Sequence, residues 1–187
     1  MVIRKFCFLL IAVALLTGCG KKNETNSTLK TDKEGFTWTD VLTLDKIPDF
    51  PVKGYLNGKE IKVEYINFET WRGSDDNVIN FTAKPPRQNC GAFVEDDSGF
   101  RIMKKSGNFK SGDYIKDKFS TTVEGVIADY HFSVDKNNTK NVSPDWNYVM
   151  TITDINDKTV KGKIAICFKD DSKSWIAGTF EAIRCNN

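Results

Sequence analysis

The chain is poor in histidine. His131 is its only one. A zinc site built from several histidines is therefore excluded, and any Ser-His-Asp or Cys-His arrangement would have to use that one residue. There is no Gly-x-Ser-x-Gly, so a hydrolase nucleophile elbow has no sequence to form from. Charge of one sign is also missing: 27 basic residues face 25 acidic ones, and the lysines are scattered among Asp and Glu. A nucleic-acid binder would show a basic excess or stripe, so no nucleic-acid partner is expected. Long apolar runs are confined to the start of the chain. Phe6 to Leu16 carries no polar side chain beyond the thiol of Cys7. It is shorter than the roughly 20 residues that cross a bilayer as a helix.

That run follows Arg4 and Lys5 and is followed by small residues, the pattern of a secretory signal. Leu16-Thr17-Gly18-Cys19 resembles the lipobox of bacterial lipoproteins. The resemblance implies that residues 1–18 are a signal peptide, that the Cys19 thiol takes a diacylglyceryl group, and that the chain is cut before Cys19. Membrane lipid would then be the first partner. The expected location is the cell envelope, facing periplasm or exterior, because two or three acyl chains anchor stably. Without Arg4 and Lys5, the two charges before the cut, the mature chain is close to neutral. Residues 20–35 hold one apolar side chain, Leu29, and cannot bury enough to offset ordering. Residues 19–35 read as a lipidated tether with a reach of roughly 20–25 Å.

From Phe36 to residue 187 the pattern is all-β. Val52–Leu56 and Lys59–Tyr65 flank Asn57-Gly58, a pair suited to a type I′ hairpin. The apolar parity then slips between Tyr65 and Ile66, which predicts a β-bulge. Val78–Ala83 and Gly99–Met103 read as strands, and 105–117 as a long connection. Phe119–Val134 reads as one long strand with a bulge or corner near Ala128, because its apolar parity changes there. Asn137–Asp145 reads as a polar loop. Tyr148, Met150 and Ile152 alternate, and residues 160–169 and 174–183 form a hairpin turned by Asp170-Asp171-Ser172-Lys173. Thr39–Ile47 fits either a strand face or a short helix. Many short strands with turn signals and one polar face each predict a single antiparallel β-sandwich or small β-barrel domain over 36–187. Val160-x-Gly162 and Ile176-x-Gly178-x-Phe180-x-Ala182 are similar to the terminal hairpin of small β-rich lipoproteins of unknown function in Bacteroidota.

Cys90, Cys167 and Cys185 remain after Cys7 and Cys19 are set aside, and export permits a disulfide. In the predicted hairpin Cys167 lies opposite about residue 176, which leaves Cys185 about 30 Å away along the strand. Bridged Cα atoms sit within about 7 Å. A bridge should therefore use Cys90, and Cys90–Cys185 is the favoured pair; three reduced, partly buried thiols are the alternative.

Asp129 and His131 lie two apart on one strand, so both point to the face opposite Tyr130 and Phe132. This is either a base with its orienting carboxylate or two polar groups on the wet side of a sheet. Asp75-Asp76, Asp96-Asp97 and Asp170-Asp171 fall in predicted turns, where Asp bonds local backbone, and none has calcium-loop spacing. No metal ligand set, cofactor motif or catalytic set is assigned. Gly35-Phe36-Thr37-Trp38 resembles the Gly-x-Trp that opens lipocalin barrels, with one residue more between Gly and Trp. That resemblance implies a calycin-like carrier of a small apolar ligand. Trp71, Trp146 and Trp175 fall near strand ends, as core caps or as a binding rim. The leading expectation is a membrane-anchored binding or interaction domain for an envelope protein. The alternatives are the apolar-ligand carrier and a hydrolase-type enzyme using Asp129 and His131.

Overall fold

A computed structural model of the chain describes residues 35–71, 74–85, 90, 98–123, 126–135 and 138–185. Leu16-Thr17-Gly18-Cys19, the expected tether before Gly35, residues 86–89 and Asp96-Asp97 lie outside the described residues. Within them the protein is all-β, and no helix is long and apolar enough to cross a membrane. The strands are β1 (Lys53–Leu56), β2 (Lys59–Lys62), β3 (Tyr65–Thr70), β4 (Asn77–Thr82), β5 (Gly99–Lys104) and β6 (Gly112–Ser120), then β7 (Thr122–Val123), β8 (Val126–Asp135), β9 (Asn138–Val142), β10 (Trp146–Ile155), β11 (Thr159–Phe168) and β12 (Trp175–Cys185).

They form one sheet in the order β6-β10-β11-β12-β3-β4-β5-β8-β7, with β1 and β2 added beside β12 and β9 beside β8. Every strand pair is antiparallel except β12–β3, where Ile183–Cys185 run parallel to Asn67–Glu69. The sheet does not close into a barrel. It folds over on itself. Inward residues of the β10–β11–β12 half meet those of the β3–β4–β5–β8 half: Phe180 packs edge-on to Phe81 at 5.4 Å, and Phe168 meets Tyr130 at 5.0 Å. These rings are at most 6% exposed and belong to one cluster of buried apolar side chains shared by the two halves. The Tyr130 hydroxyl donates to the Asp170 carboxylate at 2.6 Å, tying β8 to the β11–β12 turn at one end of the core.

Period-2 apolar patterning made these strands, and its breaks mark where the chain changes partner. The parity slip at Tyr65/Ile66 is not a bulge. β2 pairs only with β1, and the chain then leaves that hairpin to begin β3. The corner predicted near Ala128 lies at Thr121 instead. There β6 ends and β7 begins at the opposite end of the strand order, and Trp146 Nε1 donates to the Thr121 carbonyl at 3.0 Å. Two strands sit where loops were expected: β6 starts within 105–117 and runs on to Ser120, and β9 lies inside 137–145. Both lie at sheet edges with mostly exposed side chains, so neither needs apolar alternation. The Asn57-Gly58 turn forms with φ of 48° and 74°, the left-handed pair that a type I′ turn requires.

β10, β11 and β12 are apolar on both faces because both are covered. Phe36, Leu42 and Ile47 of the N-terminal arm pack on Val149, Ala165, Cys167, Trp175 and Ala177. Trp38 Nε1 donates to the Phe168 carbonyl at 2.8 Å, and its ring stacks on Phe119. Thr39–Ile47 is therefore neither strand nor α-helix but a covering segment with one 3-10 turn, Leu44–Lys46.

Cys90 and Cys185 are joined, with Cα atoms 5.7 Å apart, and Cys167 is a free buried thiol. The bridge spans 95 residues of chain. Closing so long a loop in the unfolded state makes its loss worth about 2–5 kcal/mol. Cys90→Ser, Cys185→Ser and the double variant should melt at the same temperature, roughly 5–15 °C below the parent. Equal melting of parent and variants would show that the bridge does not hold the fold.

Candidate functional site

On the outer face of the β3–β4–β5–β8 half, Val78 and Met103 are apolar, but the rows beside them are polar and yet mostly inaccessible. Alternation sets this up: Ile66, Phe68, Ile79, Phe81, Phe100, Ile102, Ala128 and Tyr130 point into the core, so their neighbours point outward. The strand register lines up Asn67, Asn80, Arg101 and Asp129 as one row across four strands. Thr82, Gly99 and His131 form the next row. Asn67, Asn80, Thr82 and His131 are at most 3% exposed, and Glu69 and Asp129 are each 7% exposed. Groups of this kind normally stay in water unless paired.

Most of them are bonded to one another. Asn80 Nδ2 donates to Asn67 Oδ1 at 2.8 Å and to Glu69 Oε1 at 3.1 Å. Trp71 Nε1 donates to the same Glu69 oxygen at 3.1 Å. Arg101 Nε donates to Asp129 Oδ2 at 2.9 Å, and its guanidinium lies 5.5 Å from the centre of the partly exposed Trp71 ring. Asp129 Oδ1 is buried with no hydrogen-bond partner among the described residues. The imidazole of His131 lies across Gly99, where an added Cβ would sit 3.0 Å from Cε1; glycine leaves the room the ring occupies.

Burial dominates the electrostatics. It pushes the Asp129 carboxyl up from 3.8, opposed by the charge and hydrogen bond of Arg101. Burial, aided by Arg101, pulls His131 from 6.5 to about 4. At neutral pH the imidazole is uncharged. The two candidate residues thus share one face, as their spacing requires, but the Asp129 oxygen that is bonded serves Arg101. The face is a buried hydrogen-bonding surface with a charged pair at its centre and a tryptophan at its rim.

The remaining sequence candidates fall elsewhere. Cys19 and Asp96-Asp97 lie outside the described residues. Cys185 is buried beside Glu69 in the β12–β3 register, so the Cys90–Cys185 bridge sits at one margin of this face. Cys167 lies on the other half beneath the N-terminal arm, and burial pushes its thiol up to about 12, far from a thiolate at neutral pH. Asp76 accepts from the Ser106 amide and Asp170 from Tyr130 and the Ser174 amide; both act as turn anchors. Trp146 and Trp175 are core residues. Among the described residues no three His, Cys, Asp or Glu side chains gather as a metal would need. An open depression of about 380 Å³, lined by Phe36, Thr37, Lys46 and Pro48, lies at the start of the arm and not between the sheet halves. Sequence reasoning missed Asn67, Glu69, Asn80 and Arg101. Alternating with apolar residues, they looked like any solvated sheet face.

No family model, curated protein or solved structure matches the chain.

Folding lowers the His131 pKa, so between pH 6.5 and about 4 the unfolded chain binds the extra proton and acid favours unfolding. The stability linked to neutral His131 is complete above about pH 6.5. It is lost as pH falls through about 4 and amounts to something on the order of 3 kcal/mol. The raised Asp129 pKa acts with opposite sign, because protonating that carboxyl favours the folded state. The difference between the parent and His131→Gln isolates the imidazole. Urea unfolding from pH 7 to pH 4 should show a steeper loss for the parent. Parallel curves would place a protonated imidazole comfortably inside the fold.

Proposed function

We propose that this protein is a lipid-anchored binding module of the bacterial cell envelope. Lipid on Cys19 holds it to the membrane, residues 20–35 serve as a tether, and the β domain engages an envelope component at the rim of the polar face, where Arg101, held by Asp129, and Trp71 remain partly exposed. The observation that carries this reading is the buried polar row Asn67–Asn80–Arg101–Asp129, in which a carboxylate oxygen 7% exposed at the residue level has no hydrogen-bond partner among the described residues. Burying polar groups costs free energy, and local violations of packing rules concentrate at functional sites. The lipobox resemblance supports the anchor, and the balanced charge gives no reason to expect nucleic acid. An unclosed sheet whose halves meet through packed rings weighs against a calycin-like carrier. The hydrolase-type reading is weakened by the Asp129–Arg101 bond and by an imidazole held too acidic to be a good base near neutral pH.

Palmitate labelling in cells should mark the parent and not Cys19→Ala, which should leave the membrane fraction. A photo-cross-linking residue placed at Trp71, on the rim, should trap an adduct in intact cells, and Asp129→Asn should reduce it. An unlabelled parent would remove the anchor. A labelled parent that traps nothing at the rim would remove the binding face.

A further inference from the structure

Among the described strands, β2, β6, β7 and β9 lie at sheet edges, and β6 is the longest of them at nine residues. A long edge presents unpaired backbone groups to any other strand, including the same strand of a second copy. Lys116 is the fifth of those nine residues, the midpoint, and it points inward. It is 4% exposed, whereas its neighbour Ile115 is 59% exposed. Its ammonium lies 4.2 Å from the centre of the Trp146 ring. It donates to the Lys118 carbonyl at 2.8 Å, the Ser120 carbonyl at 2.9 Å and the Trp146 carbonyl.

Two of those three acceptors belong to β6 itself. They sit in an irregularity of the β6–β10 ladder, where Lys116 to Ser120 oppose only Tyr148 to Trp146. The side chain thus occupies carbonyls of its own strand's second half, in the stretch that is out of register. An antiparallel pairing of β6 with its own copy over the full strand would set Lys116 against Lys116, Ile115 against Asp117 and Tyr114 against Lys118. The flanking pairs are tolerable or attractive. The central one is a like-charge pair, which opposes association.

We propose that β6 is a latent self-pairing edge and that Lys116 keeps it closed to a second copy of this chain. The ammonium does so twice over. It holds the bulge that spoils the ladder, and it places equal charges at the symmetry centre of the most extensive self-contact. Inward-pointing charge on an edge strand is a known way of blocking strand addition. Here the partner blocked is specified by the position of the lysine at the strand midpoint.

The test uses the full chain in a non-ionic detergent, followed by sedimentation and by hydrogen exchange over Gly112–Ser120. The parent should stay monomeric. Lys116→Met should self-associate at least roughly tenfold more tightly, with new amide protection confined to β6. Adding Ile115→Asp, on the exposed side of the same strand, sets like charges against Asp117 of the second copy and should return it to monomer. If Lys116→Met does not fold, Lys116→Gln is read instead, since it keeps a donor for the carbonyls without the charge. A folded neutral variant that stays monomeric overturns the proposal. So does an assembly with unprotected β6 amides, or a chain that folds with neither substitution, for which the ammonium would serve the fold alone.

Discussion

The two halves of the sheet are joined along β12. Its first residues pair with β1 and its last with β3, while β11 runs along its other edge throughout. The parallel contact of Ile183–Cys185 with Asn67–Glu69 is short, yet it is what brings the β3–β4–β5–β8 half into the sheet beside β12. Parallel pairing of so few residues is weak by itself. It is reinforced by the bridge from Cys185 to Cys90 and by packing across the fold, where Phe81 meets Phe180 and Tyr130 meets Phe168. The Tyr130–Asp170 hydrogen bond closes one end of the same core. Once β12 and β3 are set side by side, the register carries Asn67, Asn80, Arg101 and Asp129 into one row.

The two outer faces of the folded sheet are treated in opposite ways. One is apolar and covered by the arm that starts at Phe36. The other is mostly polar and also mostly hidden from solvent. The first follows from the hydrophobic effect alone. The second does not, because each buried amide or carboxylate must recover its hydration through partners. Glu69 and Asn80 do so with Trp71 and Asn67, and Asp129 does so on one oxygen only. Leaving the other oxygen without a partner works against stability, and the binding role proposed for this face gives that arrangement a reason.

Strand residues buried on one face were legible in the amino-acid pattern. Ile164, Ile166 and Phe168 alternate with charged or small residues, and Asn57-Gly58 has no better use than its turn. β6 and β9 were not legible, because an edge strand with exposed side chains has no apolar rhythm to read. The change of partner at Tyr65/Ile66 looked like a bulge because both produce the same one-residue slip. For the site, Asp129 and His131 stood out as ionisable residues on a shared face, whereas Asn67, Glu69, Asn80 and Arg101 did not. Alternation says which residues share a face, but it does not say whether that face meets water. Only the register revealed that four strands contribute to one row.

The proposed binding role requires that this face be kept polar for a ligand and not for the fold. Asn67→Val combined with Asn80→Val is the informative variant, since the pair removes the Asn–Asn hydrogen bond together, takes one donor from Glu69 Oε1 but leaves it the other, Trp71 Nε1, and substitutes β-branched residues suited to strands. The double variant should unfold at the same or a higher urea concentration than the parent. A midpoint clearly below the parent's would contradict it and make the polar row part of what holds the sheet together.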